Sequence, residues 1–269
     1  MSNGIQANKA ARLRELHVPG DPLVLVNVWD VASARVVVMY PGTQAIATAS
    51  WSISAATGYP DGGGMPLDVA LLAAERIVAC TGLPVTVDFE KGYAATSAEL
   101  RDTTRRLIET GAVGLNIEDS IGGGDRELWS IAEASERVAA VRDAATAAGI
   151  PLVINARTDT LVGGGSTADA IARGRAYLDA GADCIFVLGA IGPHLESIVQ
   201  GIPGPVSVLA GAGAPSIPEL AAAGVARISF GPGPMGVAYA ALARLVDELS
   251  HGAAPPADLA FRPGARAPS

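Results

Sequence analysis

The chain is poor in the residues that mark secreted, membrane-bound or nucleic-acid-binding proteins. It has only two cysteines, Cys80 and Cys184, and neither belongs to a Cys-x-x-Cys pair. A disulfide framework is not expected, and a cytoplasmic location fits this usage. Lys and Arg together number 19 against 27 Asp and Glu, for a net charge of -8. A nucleic-acid partner normally demands a basic face, so none is expected. Net charge does not exclude a small anionic substrate, because a few local cations or a metal can override it. No apolar run approaches the roughly 18 residues of a membrane span, so no membrane partner is expected. The first residues lack an apolar stretch and carry Lys9, Arg12, Arg14 and Glu15, which is unlike a signal peptide. A dinucleotide fingerprint is missing too: Gly62-Gly63-Gly64, Gly122-Gly123-Gly124 and Gly163-Gly164-Gly165 lack the strand–GxGxxG–helix frame and read as loops.

What is present is a compact apolar pattern. Hydrophobic residues make up 49% of 269 positions and mean hydropathy is +0.34. Short apolar, β-branched runs recur at 23–30, 45–50, 84–90, 113–119, 151–159, 184–190, 205–211 and 226–232. Most are continuous rather than alternating, as in parallel strands buried on both faces. Helical stretches separate them. Thr96/Glu99, Ser130/Glu133 and Ser216/Glu219 have capping-box spacing. Gly111, Gly149, Gly181 and Gly224 sit where a left-handed helix end is wanted. In the helix predicted over 98–110, Leu100, Leu107 and Ile108 share one side, while Arg101, Arg105 and Glu109 lie mostly opposite. About eight β-then-α repeats without an internal linker predict an α/β fold of the (β/α)8 TIM-barrel type, which typically takes about 250 residues. A single domain over 1–269 is expected, with a Pro/Ala-rich tail from about residue 252 looping over the surface or fraying.

In such a barrel the C-terminal strand ends form the active face. Acids gather there. The run at 84–90 ends Val87-Asp88-Phe89-Glu90, the next ends Asn116-Ile117-Glu118-Asp119, and the next ends Asn155-Ala156-Arg157-Thr158-Asp159. The first run ends Asn27-Val28-Trp29-Asp30. Converging carboxylates repel unless neutralised, and Mg2+ with oxygen ligands is the usual answer. Strand alternation would put Asp88 and Glu90 on one side, with Glu118 joining from the neighbouring strand. Arg157 would offer a bidentate fork to a substrate carboxylate. Asp119 and Asp159 are better read as orienting their neighbours. The bland alternative for any single acid is a helix cap or a rim ion pair.

Beyond these motifs stand Ala55-Ala56-Thr57-Gly58-Tyr59-Pro60-Asp61-Gly62, Glu90-Lys91-Gly92-Tyr93 and Gly114-Leu115 before the Asn116 motif. With them, the chain resembles the isocitrate lyase/phosphoenolpyruvate mutase superfamily, phosphonomutase-like branch, from about Leu23 to about Leu249. The resemblance implies a (β/α)8 barrel of the phosphoenolpyruvate-binding type, assembled as a dimer or tetramer with exchange of a C-terminal helix. It implies Mg2+ (or Mn2+), with Asp88 as principal ligand and Glu90 and Glu118 holding the metal largely through water. Glu118 is also expected among the catalytic residues. Arg157 would bind the substrate, with Asn155 beside it. Backbone N–H groups of Ala49, Ser50 and Trp51 would hold a substrate carboxylate, and Asp61 would lie close to the reacting bond. The substrate is expected to be a small anionic 2-oxo acid or phosphonate, reacting through an enolate.

The departures bear on the reaction. Isocitrate and methylisocitrate lyases carry a Cys- and His-containing loop where this chain has Ser120-Ile121-Gly122-Gly123-Gly124-Asp125-Arg126-Glu127. They place a Glu where Leu188 stands, and the phosphonopyruvate enzymes place a His nearby. His194 follows in the same region, as a substitute or as a plain helix-start residue. Glu90 replaces the Asp of several branches. Lys91 suggests a gate or salt bridge more than a Schiff base, and Trp51 either lines the pocket or packs on the rim. Gly211-Ala212-Gly213 and Gly231-Pro232-Gly233 could cradle phosphate or simply turn. The expected activity is a lyase or mutase with C–C cleavage slightly favoured. P–C chemistry, a ketopantoate-type hydroxymethyl transfer and a non-catalytic ligand-binding relative are the alternatives.

Overall fold

The computed structural model describes residues 3–122 and 127–259. Nine strands form one all-parallel sheet: β1 (Leu23–Leu25), β2 (Asn27–Val28), β3 (Ile46–Thr48), β4 (Val85–Asp88), β5 (Gly114–Glu118), β6 (Val153–Thr158), β7 (Cys184–Val187), β8 (Val206–Leu209) and β9 (Arg227–Ser229). The helices are α1 (Asn3–Glu15), α2 (Val31–Val38), α3 (Ser50–Thr57), α4 (Leu67–Ala79), α5 (Ser97–Glu109), α6 (Ile131–Ala148), α7 (Thr167–Asp179), α8 (Leu195–Gly201), α9 (Ile217–Ala222) and α10 (Gly233–Ser250). The ninth strand is an interruption rather than an extra unit. The first apolar run breaks at Val26; its first half, β1, pairs with β9 and its second half, β2, pairs with β3. That split run joins the two edges of the sheet, so the strands form a nearly closed barrel of the expected (β/α)8 type.

Local sequence explains the element boundaries. The three expected capping boxes all form, and Asp30/Ser33 and Ser166/Asp169 add two more. Gly111, Gly149, Gly181 and Gly224 all have positive φ. Leu100, Leu107 and Ile108 of α5 are buried, whereas Arg101, Arg105 and Glu109 face solvent. Strands stop earlier than the apolar runs suggest. The run at 45–50 ends as strand at Thr48, and Ser50 already starts α3.

The N-terminal end of the barrel is plugged. Leu13 of α1 is fully buried and would lie 2.8 Å from a Cβ at Gly114, so the missing side chain there makes its room. Gln6 Nε2 donates to the carbonyls of Ile108 and Ala112 at 2.8 and 2.9 Å, and Arg14 pairs with Asp183 at 2.9 Å. Only the opposite end is left for chemistry. No helix among the described residues is long and apolar enough to cross a membrane. In the tail, 257–259 form a short 3-10 turn, and Asp258 pairs with Arg244 at 3.1 Å.

Candidate active site

Asp88 closes β4 with its side chain pointing into the barrel mouth. Its Oδ2 accepts from Ser50 N–H at 3.0 Å and Ser50 Oγ at 2.8 Å, and its own N–H donates to Thr48 Oγ1 at 2.9 Å. Ala49 is the N-cap of α3, and Ser50 and Trp51 form its first turn. The expected loop of backbone donors is therefore a helix N-terminus, where free N–H groups favour an anion. Ser50 N–H already serves Asp88. Trp51 is 47% exposed on the rim.

Glu90 corrects the expectation drawn from alternation. The strand ends at Asp88, and Glu90 sits in a left-handed turn with φ 49°. It is buried beside Asp88 all the same. Its Oε1 accepts from Tyr93 Oη at 2.9 Å, while its Oε2 has no side-chain partner among the described residues and lies near the Gly63 backbone. Burial, then the charges of Asp88 and Asp61, raise its pKa. Holding Glu90 and Tyr93 (φ 54°) left-handed costs energy that the surroundings must supply. Arg137 of α6 does part of this. Its Nη2 donates to the carbonyls of Lys91 at 2.5 Å and Ala94 at 3.0 Å, and its guanidinium lies 3.9 Å from the Trp129 ring centroid.

Glu118 and Arg157 pair at 2.9 Å across β5 and β6. Ser120 Oγ donates to the other Glu118 oxygen at 2.7 Å. Burial, with Asp159 and Asp88 nearby, outweighs the Arg157 charge and pushes Glu118 up to about 7. The Arg157 fork is not free, contrary to expectation. Asp159 takes it bidentately, at 2.6 Å from Nε and 2.7 Å from Nη2. Burial opposes the arginine's charge, but Glu118 and then Asp159 outweigh it and raise its pKa. Asp119 turns the other way, accepting from Tyr177 Oη at 2.7 Å and Arg173 at 3.1 Å.

Asp61 lies on the exposed loop after α3. Partial loss of hydration and the Asp88 charge raise its pKa. Lys91 makes no salt bridge among the described residues; its Nζ donates to the Ile121 carbonyl at 3.1 Å and leans over Gly63. His194 is exposed and bonded to Thr167 Oγ1 at 2.8 Å, on the rim rather than in the mouth. Of the loop after β5, residues 123–126 lie outside the described residues.

Beneath the acids runs a polar layer that sequence reading missed, except for Asn155. Arg227 of β9 is 1% exposed and has no carboxylate partner among the described residues. Its Nη2 donates to Asn116 Oδ1 at 3.1 Å, Asn155 Nδ2 donates to the same oxygen at 2.8 Å, and Asn116 Nδ2 faces Asp88 Oδ1 at 3.4 Å. Arginine can only donate and a carboxylate can only accept, so the two ends set the amide orientation between them. The available signal was a charged residue inside an apolar run, Ala226-Arg227-Ile228. Nothing in the sequence pointed to Arg137.

The model of the phosphoenolpyruvate phosphomutase family matches residues 13–250. The chain belongs to that family. A Burkholderia cenocepacia protein provisionally assigned as a phosphonomutase has 43% identity and a TM-score of 0.86, with 90% of this chain and 99% of that one covered. An uncharacterized Mycobacterium tuberculosis protein is 35% identical over 88% of each chain. Escherichia coli 2-methylisocitrate lyase is 34% identical over 64% of this chain and 62% of its own length. The phosphoenolpyruvate mutase/isocitrate lyase superfamily comprises lyases and mutases of small carboxylates.

Proposed function

We propose that the protein is a Mg2+-dependent lyase that breaks a C–C bond in a small 2-oxo acid or related dicarboxylate, through an enolate of the pyruvate type. One observation carries this reading: Asp88, Glu90 and Glu118 gather at neighbouring strand ends, Glu118 against Arg157 at 2.9 Å, and a buried Glu90 oxygen has no side-chain partner among the described residues. Among the described residues no three acid, Cys or His side chains form a ready metal cage. Mg2+ keeps several waters and takes only one or two carboxylates directly. Asp88 and Glu90 would hold it, with Glu118 behind. When bound, the ion would supply a Lewis acid for negative charge on the 2-oxo group. Arg157, kept charged and aimed by Asp159, adds a fixed positive charge beside the same group. Ala49 N–H is spent on the Val28 carbonyl and Ser50 N–H on Asp88, so of the three expected donors the first turn of α3 would offer only the N–H of Trp51 to the carboxylate end. Asp61, at the open rim with a raised pKa, would move the proton that accompanies bond cleavage.

A second reading, P–C bond chemistry, is favoured by the description of the matching family and by the assignment of the Burkholderia relative. A proton and phosphorus NMR screen with Mg2+ separates the two, using oxaloacetate, 2-methylisocitrate, dimethylmalate, phosphonopyruvate and phosphoenolpyruvate. A 2-oxo acid released from a carbon acid is the expected result; a moving phosphorus signal would establish the second reading. Asp88→Ala should abolish both turnover and Mn2+ binding, and unchanged binding would remove Asp88 from the site.

We further propose that the enzyme is a homo-oligomer. Only Met235 of the 18-residue α10 is buried, while Val237 and Val246 are 73% and 59% exposed. So apolar a helix face fits against a second copy of the chain.

A further inference from the structure

The barrel mouth is chemically lopsided. At the level of the opening, the carboxylates and Arg157 sit on β4, β5, β6 and the loops beside them, with Asp61 on the loop after α3; Arg227 of β9 lies in the layer beneath and is turned towards Asn116. Across the mouth, the inward positions nearest the opening on β7 and β8 are Phe186 and Leu209. Phe186 is an immediate register neighbour of Arg157, whose Cζ lies 6.0 Å from its ring centroid. Leu209 follows the inward Ser207 by two residues and packs over Gly231. The connections behind them continue the theme. No Asp, Glu, Lys or Arg occurs from 184 to 195, from 205 to 218 or from 228 to 243. His194, in the first of these, is occupied with Thr167 at the surface.

In one of the two connections where barrels commonly hold phosphate, the backbone donors are already spent. In the β9–α10 connection, the N–H groups of Phe230 and Gly231 both donate to Asn27 Oδ1, at 2.8 and 3.0 Å. Gly233 N–H donates to the Phe230 carbonyl at 3.0 Å. Pro232 and Pro234 have no N–H to give. A phosphonate or second carboxylate pressed against Phe186 and Leu209 would be desolvated without a charged partner.

We propose that the part of the substrate beyond the reacting bond is uncharged and carbon-rich, so that the substrate class is a 4-hydroxy-2-oxo acid with an alkyl or aryl substituent. This rests on the enolate reading above and narrows it. The step balances without a redox partner. A base, Asp61, takes the proton of the 4-hydroxyl group. The bond between the third and fourth carbons breaks, and its electron pair enters the 2-oxo acid as the enolate. The fourth carbon leaves as an aldehyde or ketone against Phe186 and Leu209, and the enolate is protonated to the 2-oxo acid.

The test compares two ligands that share a 2-oxo acid core and differ in the tail. N-propyloxamate carries an alkyl group and N-oxalylglycine a carboxylate. Calorimetry on the full chain with Mg2+ should show the alkyl ligand binding about tenfold or more tightly. Leu209→Arg should reverse the order by giving the second carboxylate a partner. Turnover of 4-hydroxy-2-oxohexanoate against 4-hydroxy-2-oxoglutarate should follow the same order. Equal or opposite preference in the wild type would overturn the inference while leaving the enolate reading in place. Failure of both ligands to bind, with Mn2+ binding indifferent to Asp88→Ala, would overturn both.

Discussion

Glu118 shows how one residue's surroundings set its chemistry. It faces Arg157 at 2.9 Å, yet burial and two neighbouring carboxylates lift it from near 4.5 to about 7. The sign of the resulting pH dependence follows from proton counting. Between those two values the folded chain holds a proton that the unfolded chain has released. Stability from this group is therefore complete below about pH 4.5 and is lost as pH rises through about 7. Metal-free wild type should lose on the order of 1–3 kcal/mol across that window, and Glu118→Gln should lose less, keeping only the contributions of Glu90 and Asp61, whose pKa values are also raised. Urea unfolding at pH 4.5 and pH 7.5 checks this; parallel curves for the two proteins would mean that Glu118 is ionised throughout. Arg157 illustrates the same lesson from the other side. A fork expected to await substrate is already held by Asp159, so under the proposed mechanism it would present a fixed charge rather than a free pair of donors.

At the level of elements, the turn after β4 carries the most constraint. Glu90, Gly92 and Tyr93 all have positive φ, and the Gly92 carbonyl accepts from Thr103 Oγ1 at 2.8 Å. A Cβ on Gly92 would collide with Leu100 Cδ1 and approach Ile117 Cδ1 to 3.0 Å. Gly92→Ala therefore combines a backbone conformation that alanine disfavours with overpacking of a buried contact. The expected loss is roughly 2–4 kcal/mol in urea unfolding. A loss below about 0.5 kcal/mol would mean that α5 yields easily and that the turn is not rigid. The turn positions Glu90, so this rigidity is what lets a residue beyond the end of a strand face Asp88.

For the whole molecule, the barrel divides labour between its ends. The N-terminal mouth is closed by α1, and the C-terminal mouth gathers acids on one half and apolar side chains on the other. The apolar face of α10 points away from this core. If a second copy covers it, light scattering on the purified protein should give a mass of two or four chains. The double change Val237→Asp with Val246→Asp should yield a folded monomer with an unchanged far-ultraviolet spectrum. A monomeric wild type would overturn the oligomer proposal.

By itself the sequence determined the repeating β-then-α order, the helix caps and the acids at successive strand ends. These are local properties: apolar runs, hydroxyl–Glu spacing and glycines at helix ends act over a few residues, and all three capping boxes read from it formed. The tertiary structure decided what local patterns do not contain. Alternation along a strand could not foresee that β4 stops at Asp88 and that a left-handed turn brings Glu90 back beside it. Nor could spacing reveal that Arg227 reaches Asn116 across 111 positions, or that Asp159 occupies Arg157. Charges compensate through space, and which carboxylate meets which cation is settled only when the ring of strands closes.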